Sequence, residues 1–308
     1  MTFSARNILL VLLPAAIAAF GIAQAQDPGP GRQGKGQNNN GKKTASVNTQ
    51  ERVDVLNMAR PIEMHDTVWI EDMTSLEIRD SIKSGKTTAI VLAGGMEENG
   101  PYLTMGKHNN VMRAQGESIA RRLGNALCAP IITMEPGNPE RSASPGSVVI
   151  SEAAYEMVLT DMANSLRAQG FKDIIYLGDH GGDQRGINTV SKALNEKWKG
   201  SGVNTWYVAD FYDYGAVEKY EQDVLGIHEK MEGYHDDYYI SSIIMTVDVN
   251  GVRLPERRKA NKTKINGVDL EPSAKTIENG KKIVEYRTDI TVKALQKMMA
   301  EARSSSQQ

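Results

Sequence analysis

The sequence predicts an α/β protein with three layers (α/β/α), in which helices cover both faces of a mainly parallel sheet. Two observations lead to this prediction: short apolar, β-branched runs recur along the chain, and stretches of helical periodicity separate them. Parallel strands need long crossover connections, which place helices on the faces of the sheet. A chain of 308 residues with 40% hydrophobic content is long enough to bury one large core.

The elements can be justified in order along the chain. Thr74-Ser75-Leu76-Glu77 forms a capping box, and Gly85 is placed to end the helix that this box opens. Gly124 and Gly170 are placed to end two later helices. The predicted order after the first helix is a strand at 87–92, a helix ending at 124, a strand at 126–133, a helix at 151–169, a strand at 173–177, a helix at 188–199, a strand at 203–209, a helix from about 235 and a terminal helix at 288–303.

The amino terminus has the pattern of a secretory signal peptide. Arg6 supplies a positive charge, an apolar run follows at 8–20, and Ala23-Gln24-Ala25 fits the small-x-small cleavage pattern. A membrane anchor is the alternative, but the run is short for a bilayer span and contains Pro14. We therefore predict cleavage near Ala25, a periplasmic or secreted protein, and no stable membrane anchor.

The composition of the rest of the chain indicates its domain boundaries and limits the kinds of site it can form. Residues 26–50 are rich in Gly, Asn and Pro and predict a disordered linker, which leaves 51–308 for the α/β domain. The net charge of −2 does not favour a nucleic-acid partner. Cys128 is the one cysteine of the chain, which excludes an internal disulfide and a cysteine-based zinc cluster. A metal site would therefore have to use histidine and carboxylate ligands.

Acidic residues and a histidine follow the predicted strands. Ligands of open parallel sheets bind at the carboxyl ends of the strands, so these side chains are expected at one rim. The residues at these positions are Glu97, Glu98, Glu135, Asp179, His180, Asp210 and Asp213. Asp and Gly are also ordinary turn-forming residues, and for any single member that structural role is the alternative. Their convergence predicts a site for a divalent cation.

Three ordered segments resemble the creatininase (creatinine amidohydrolase) family. Residues 94–103, followed by Gly106-Lys107-His108, resemble the family's G-S-x-E-x-H-G-P-H-L-P-L-G-T-D signature. Residues 178–183 resemble its N-G-H-G-G-N turn, and residues 234–242 resemble its H-A-G-E-x-E-T-S segment. The resemblance implies a layered α/β/α fold, a homo-oligomer, and a two-metal site that hydrolyses C–N bonds of small cyclic or linear amides.

Carried over by position, the resemblance implies roles for three residues. Glu97 and His180 match metal ligands of the family, and His235 matches its proton-transfer residue. Five positions depart from the family pattern: Asn99 replaces a ligand His, Tyr102 a second His, His108 a bridging Asp, Gly182 an acid and Ile240 a late Glu.

The residues that remain still make a one-carboxylate, two-histidine set of the kind found in zinc hydrolases, namely Glu97, His108 and His180. We predict that this set binds Zn or Mn. The proton-transfer candidates are His235 and, second, Glu98. The residues assigned to ligand orientation or substrate contact are Asn99, Tyr102, Asp179 and Asp183.

Two functions from different classes follow from these residues. The first is a metal-dependent hydrolase of a small amide-type substrate with an altered ligand set. The alternative is a non-catalytic exported module that binds a ligand or partner and whose metal site has decayed. The retained Glu97 and His180 favour the first function, whereas the changes at Asn99 and Ile240 favour the second.

Overall fold

A computed structural model describes residues 57–305 of the chain. The signal peptide predicted at 1–25 and the linker predicted at 26–50 lie outside these residues. Within them the chain forms a four-stranded parallel sheet with helices on both faces, so the predicted α/β fold is confirmed. None of the helices in this described part combines the length and apolar character that a bilayer crossing requires.

The elements of the described residues are as follows. The helices are α1 (Ser75–Lys83), α2 (Lys107–Leu123), α3 (Glu152–Gln169), α4 (Asp183–Lys197), α5 (Tyr214–Tyr220), α6 (Tyr238–Val247), α7 (Leu254–Lys259) and α8 (Ser273–Ser305). The strands are β1 (Thr88–Ala93), β2 (Ala126–Cys128), β3 (Glu135–Gly137), β4 (Val149–Ser151), β5 (Asp173–Gly178), β6 (Asn204–Tyr207), β7 (Lys264–Ile265) and β8 (Val268–Asp269).

The main sheet has the order β2-β1-β5-β6, and all of its neighbours are parallel. After β1 the chain crosses to one side of this strand, to β2, and it later returns to form β5 on the other side. The crossover direction therefore reverses between β1 and β5. In open α/β sheets this switch point forms a crevice at the carboxyl ends of the strands, where ligands bind. Residues that follow Ala93 and Gly178, which pair in register, are placed at this crevice.

Alternation along β1 divides the core between the two faces of the sheet. Ala89 and Val91 pack in a cluster with buried residues of α3 and α4. Ile90 and Leu92 point to the opposite face and pack with buried residues of α2 and α8. Every residue of β1 is buried, as expected for a central parallel strand. The two clusters therefore make the predicted three layers.

The boundaries of several elements differ from the prediction. The capping box at Thr74 is present, and Gly124 ends α2 in the left-handed conformation. The second strand is shorter than 126–133, since β2 ends at Cys128. The helix predicted at 188–199 begins earlier, at Asp183. The terminal helix begins at Ser273 rather than at residue 288.

The early part of α8 packs closely on α6. A Cβ atom at Gly280 would lie 2.0 Å from the carbonyl oxygen of Ser242, so the two backbones touch at this point. Glycine is required there because any side chain would push the helices apart.

A buried pair of carboxyl groups fastens the segment that leads into α6. Glu221 is 1% exposed, and its carboxyl group is a neighbour of the carboxyl group of Glu229. Glu229 in turn accepts hydrogen bonds from the backbone N–H of Tyr238 and from the side chain of Asn266, both at 2.8 Å. Burial and the neighbouring Glu229 raise the pKa of Glu221 from 4.5 to about 9. Two carboxylates so close together cannot both ionise cheaply, so they share a proton.

Replacing Glu221 with Gln keeps the shape of the protonated group and removes its ionisation. Because folding raises the pKa of Glu221, the folded state binds more protons between pH 4.5 and about 9, and the wild type loses stability as pH rises through this window. We expect Glu221→Gln to raise the free energy of unfolding at pH 8 by about 1–2 kcal/mol, and by far less at pH 5. Urea unfolding at both pH values measures the difference.

The matched control is Glu196→Gln, which changes an exposed glutamate of α4. It should leave the free energy of unfolding within about 0.5 kcal/mol of the wild type at either pH. An equal effect of Glu221→Gln at pH 5 and pH 8 would contradict the shared proton.

Candidate metal centre

Four of the predicted rim residues, namely Glu97, Glu135, Asp179 and His180, converge at the switch point of the sheet, whereas Asp213 caps α5. Glu97 lies on the segment that follows β1, and Asp179 and His180 directly follow β5. His108 reaches the same place from the first turn of α2. Since β1 and β5 are neighbours in register, side chains from distant parts of the sequence meet here.

Glu97 is the centre of this cluster, and its two carboxylate oxygens face different groups. Oε1 lies 2.6 Å from His108 Nε2 and 3.1 Å from Lys107 Nζ. Oε2 lies 3.3 Å from His180 Nε2. Burial opposes ionisation of Glu97, but the hydrogen bonds from His108 and His180 hold its pKa well below its usual value. Glu97 is therefore an anion with one oxygen on a cationic side and the other directed toward His180.

His108 is held between two carboxylates. Its Nδ1 lies 2.8 Å from Asp179 Oδ2 and its Nε2 lies 2.6 Å from Glu97 Oε1, so both ring nitrogens donate hydrogen bonds. Burial opposes the charged ring, but Asp179 and Glu97 together raise the pKa of His108 to about 9. In this arrangement His108 is an imidazolium with both nitrogens engaged. Its role as a metal ligand stays a prediction.

Asp179 is fixed by groups beneath the cluster. Its Oδ1 accepts hydrogen bonds from Arg287 Nη2 at 2.9 Å and from the hydroxyl of Tyr214 at 2.5 Å. The side chains of Asp179 and Arg287 are both fully buried. Burial opposes ionisation of Asp179, but Arg287 and His108 keep its pKa below its usual value. Asp179 thus orients His108, while α8 supplies the balancing charge.

A group of three possible ligands lies on the other side of Glu97. Ligand atoms of Glu97, Glu135 and His180 all lie within 4.8 Å of one another. Glu135 Oε2 lies 3.6 Å from His180 Nε2 and is buried without a hydrogen-bond partner. A Cβ atom at Gly95 would lie 3.4 Å from that oxygen, so glycine leaves the approach to it open. Two carboxylates and one imidazole, with one carboxylate oxygen unpaired, are a donor set that Zn²⁺ or Mn²⁺ accepts.

His180 is oriented by the turn that begins α4. The backbone N–H of Gly182 donates to its Nδ1 at 3.1 Å. The proton of the neutral ring therefore lies on Nε2, which faces Glu97 and Glu135. A metal ion bound at Nε2 would require the tautomer with the proton on Nδ1, and the hydrogen bond from Gly182 would then be lost. Asp183 Oδ2 accepts from the backbone N–H of His180 rather than from its ring, and burial raises the pKa of Asp183 to about 7.

His235 lies at the solvent side of the cluster. Its side chain is 60% exposed, and its Nδ1 lies 3.5 Å from Glu97 Oε1 and 3.3 Å from the carbonyl oxygen of Glu98. Its Nε2 lies 3.5 Å from Lys107 Nζ, and the ammonium donates to it. These partners place the ring proton on Nδ1. The predicted proton-transfer residue is therefore close to the predicted ligand Glu97 and open to solvent.

Three other predicted residues lie outside the immediate cluster. Glu98 is exposed, and its Oε2 accepts a hydrogen bond from the hydroxyl of Ser144 at 3.2 Å. Asn99 is buried and donates to the carbonyl oxygen of Glu97 at 2.8 Å, which shapes the loop that presents Glu97. Tyr102 is half-buried, and the guanidinium of Arg257 stacks on its ring at 4.3 Å. The structure does not bring Tyr102 to the Glu97 cluster through any contact of its ring.

Sequence reasoning missed the roles of two residues. Glu135 was expected only as one of the rim acids, and the structure places it, as the first residue of β3, in one group with Glu97 and His180. Lys107 was part of the motif but had no assigned role, and it is 1% exposed beside Glu97. The sequence did contain a pattern that could have pointed to Lys107, because this lysine lies between a glycine and a histidine at the start of a helix that follows an acidic loop.

An open cavity of about 480 Å³ borders the cluster. Its walls include the carboxylates of Glu97, Glu98 and Glu135 together with Arg141 and Ser144. This volume is in the range of sites for small molecules.

Comparisons with known proteins agree with this architecture. The family model described as "Creatininase: Creatinine amidohydrolase" matches residues 71–295, which is more than half of the 308-residue chain. No curated protein matches the sequence. A W154A mutant creatininase is 17% identical, with a TM-score of 0.57, over 76% of this chain and 99% of its own.

Two further solved structures give the same result. A structure titled "Creatininase Mn" is 16% identical, with a TM-score of 0.54, over 77% of this chain and 99% of its own. A putative creatinine amidohydrolase from Bacteroides fragilis NCTC 9343 is 17% identical, with a TM-score of 0.54, over 76% of this chain and 98% of its own. These likenesses show the same fold. By the match of the family model, with the fold in agreement, the chain belongs to the creatininase family.

Proposed function

We propose that this protein is a metal-dependent hydrolase that cleaves a C–N bond of a small amide. The observation that carries the proposal is the group formed by Glu97, Glu135 and His180, whose ligand atoms lie within 4.8 Å of one another beside an open cavity. Membership of the creatininase family supports the same reaction class.

The donor set fits Zn²⁺ or Mn²⁺, and solved creatininases carry titles that name both metals. A divalent ion held by these three residues would supply Lewis-acid polarisation of an amide carbonyl group. Around it the chain supplies fixed charges. Glu97 presents one oxygen to the group while His108 and Lys107 hold the other oxygen in place. Such preorganised charges avoid reorganisation during the reaction.

Proton transfer is assigned to His235. Its ring is exposed and within 3.5 Å of Glu97 Oε1, so it can exchange protons with solvent and reach a leaving nitrogen near the carboxylate. Glu98 is the second candidate, because it lines the same cavity and is exposed.

The substrate class follows from size and family. A cavity of about 480 Å³ accommodates a small molecule rather than a folded protein. One solved relative is described as a creatininase complexed with creatine, which supports a compact amide or amidine-type ligand for this chain.

The test is hydrolysis of a panel of lactams and linear amides by the purified mature protein. We expect activity with one equivalent of Zn²⁺ or Mn²⁺, its loss on chelation, and its return when the metal is restored. Glu135→Gln should abolish both metal retention and activity, because it removes a charged ligand and keeps the size of the side chain. Metal binding in the absence of any hydrolysis would instead favour the non-catalytic ligand-binding module, and a folded protein that takes up no metal would contradict the metal centre.

We infer from the amino-terminal pattern that the hydrolase acts in the periplasm or outside the cell. Arg6, the apolar run at 8–20 and the Ala23-Gln24-Ala25 pattern support this. Cell fractionation together with the amino-terminal sequence of the product tests it, and an uncleaved protein in the cytoplasmic fraction would contradict it. Assembly into a homo-oligomer stays a prediction.

A further inference from the structure

Lys107 occupies an unusual position for a lysine. Its side chain is 1% exposed, and its Nζ lies 3.1 Å from Glu97 Oε1. On its other side Nζ lies 3.5 Å from His235 Nε2. A lysine buried to this extent needs anionic or lone-pair partners, since an unpaired buried charge is very costly.

The partners of Lys107 are of the kind that bind a metal ion. A carboxylate oxygen and an unprotonated imidazole nitrogen are the ligands that zinc takes, at about 2.0–2.2 Å. Here an ammonium group lies between them at hydrogen-bond distances instead. The ring of His108 also contacts this oxygen, through its Nε2 at 2.6 Å. The space beside Glu97 Oε1 is therefore filled by two nitrogen-bearing side chains, one of which is the ammonium of Lys107.

The two oxygens of Glu97 thus separate two regions of opposite character. Oε2 faces His180 and Glu135, and the Oε2 atom of Glu135 is buried without a hydrogen-bond partner. Oε1 faces Lys107 and His108, where the positive charge is already part of the chain. We propose that the ammonium of Lys107 replaces a second metal ion, so that this centre holds one ion and Lys107 positions Glu97 and His235 for it. This inference rests on the proposed function, because it assumes an ion at the Glu97, Glu135 and His180 group.

The replacement has two physical consequences. The ammonium fixes the tautomer of His235, because it donates to Nε2 and leaves the proton on Nδ1. It also repels a divalent ion bound on the opposite side of Glu97, since like charges a few ångströms apart in a buried site interact strongly. Lys107 is therefore a positioning residue that sets both the number of ions and their affinity.

The experiment is a calorimetric titration of Zn²⁺ into metal-free protein, with bound metal counted independently by elemental analysis. We expect the wild type to bind one equivalent. In Lys107→Ala the charge is gone and both Glu97 Oε1 and His235 Nε2 lose the ammonium group, so we expect a second equivalent or at least a tenfold tighter first one. Lys107→Arg keeps the charge and should resemble the wild type. Lys107→Met, which fills the space without charge, provides a second neutral variant should Lys107→Ala unfold.

The outcomes separate this inference from the proposed function. Two equivalents in the wild type, or unchanged stoichiometry and affinity in folded Lys107→Ala or Lys107→Met, would overturn the role of Lys107 alone. A wild type without metal would overturn the proposed function, and with it the claim that this centre holds one ion, whatever Lys107→Ala binds. If none of these proteins binds an ion, both ideas fail.

Discussion

Glu97→Gln is expected to abolish metal retention and hydrolysis, because it removes the one carboxylate that faces both sides of the centre. The amide nitrogen or oxygen that replaces Oε2 is neutral, so the group keeps only Glu135 as an anionic ligand. The affinity for Zn²⁺ should fall by about 100-fold or more. Lys107 also loses its carboxylate partner and His108 keeps only Asp179, and the buried ammonium without an anion should lower the free energy of unfolding by about 3 kcal/mol. Metal titration and urea unfolding measure the two effects.

Glu98→Gln is the matched control, since the residue is the next carboxylate along the chain and borders the same cavity. Its side chain is exposed and bonds to Ser144 rather than to the cluster. Its metal affinity and stability should stay close to those of the wild type. Equal losses in Glu97→Gln and Glu98→Gln would mean that the cavity charge as a whole, and not the position of Glu97, controls binding.

The second large effect is expected from Asp179→Ala. This carboxylate balances Arg287, which is fully buried, and also accepts from His108 and Tyr214. Its removal leaves a guanidinium in the core without an anion, which should lower the free energy of unfolding by about 3–5 kcal/mol. His108 loses the group that fixes its ring, so metal affinity should fall as well. Unfolding in urea at neutral pH measures the loss of stability.

Asp289→Ala removes an aspartate that is also paired with an arginine, Arg122, but both of these side chains are exposed. An exposed pair contributes less than about 1 kcal/mol, so this variant should remain close to the wild type. The buried Arg287 makes the difference between the two substitutions. A loss below about 1 kcal/mol in Asp179→Ala would contradict the role assigned to that pair.

Much of the fold was predictable because its signals are local. The capping box at Thr74 and the glycines that end α2 and α3 act within one turn of the chain, and each helix ends where they predict. The pairing of β3 with β4 was not predictable, because each strand has only three residues, which is too short for a detectable periodicity, and β3 also contains Pro136. The early start of α8 at Ser273 also escaped prediction, and this part of the helix packs closely on α6 at Gly280.

In the candidate site, too, some contacts could be predicted from the sequence and others could not. The approach of Glu97 and His180 to each other could be predicted, since both follow central strands of a parallel sheet. The engagement of both nitrogens of His108 could not, because it depends on Asp179 and on Arg287, which lies more than 100 positions further along the chain. The partners of Lys107 are likewise set by tertiary structure, because one of them, His235, comes from the loop before α6.

Because the crossover direction reverses in the sheet, the residues that would hold the ion and the residues that line most of the cavity lie on different parts of the chain. Evolution can therefore alter ligand preference without altering ion binding. Glu97 and His180 are attached to the two innermost strands, whose positions the whole core enforces. Much of the cavity wall, from Asn138 to Ser147, belongs instead to an excursion of the chain beyond the edge strand β2. Insertions or exchanges in that excursion can give the scaffold a new ligand preference while the ion-holding atoms on the inner strands stay where they are.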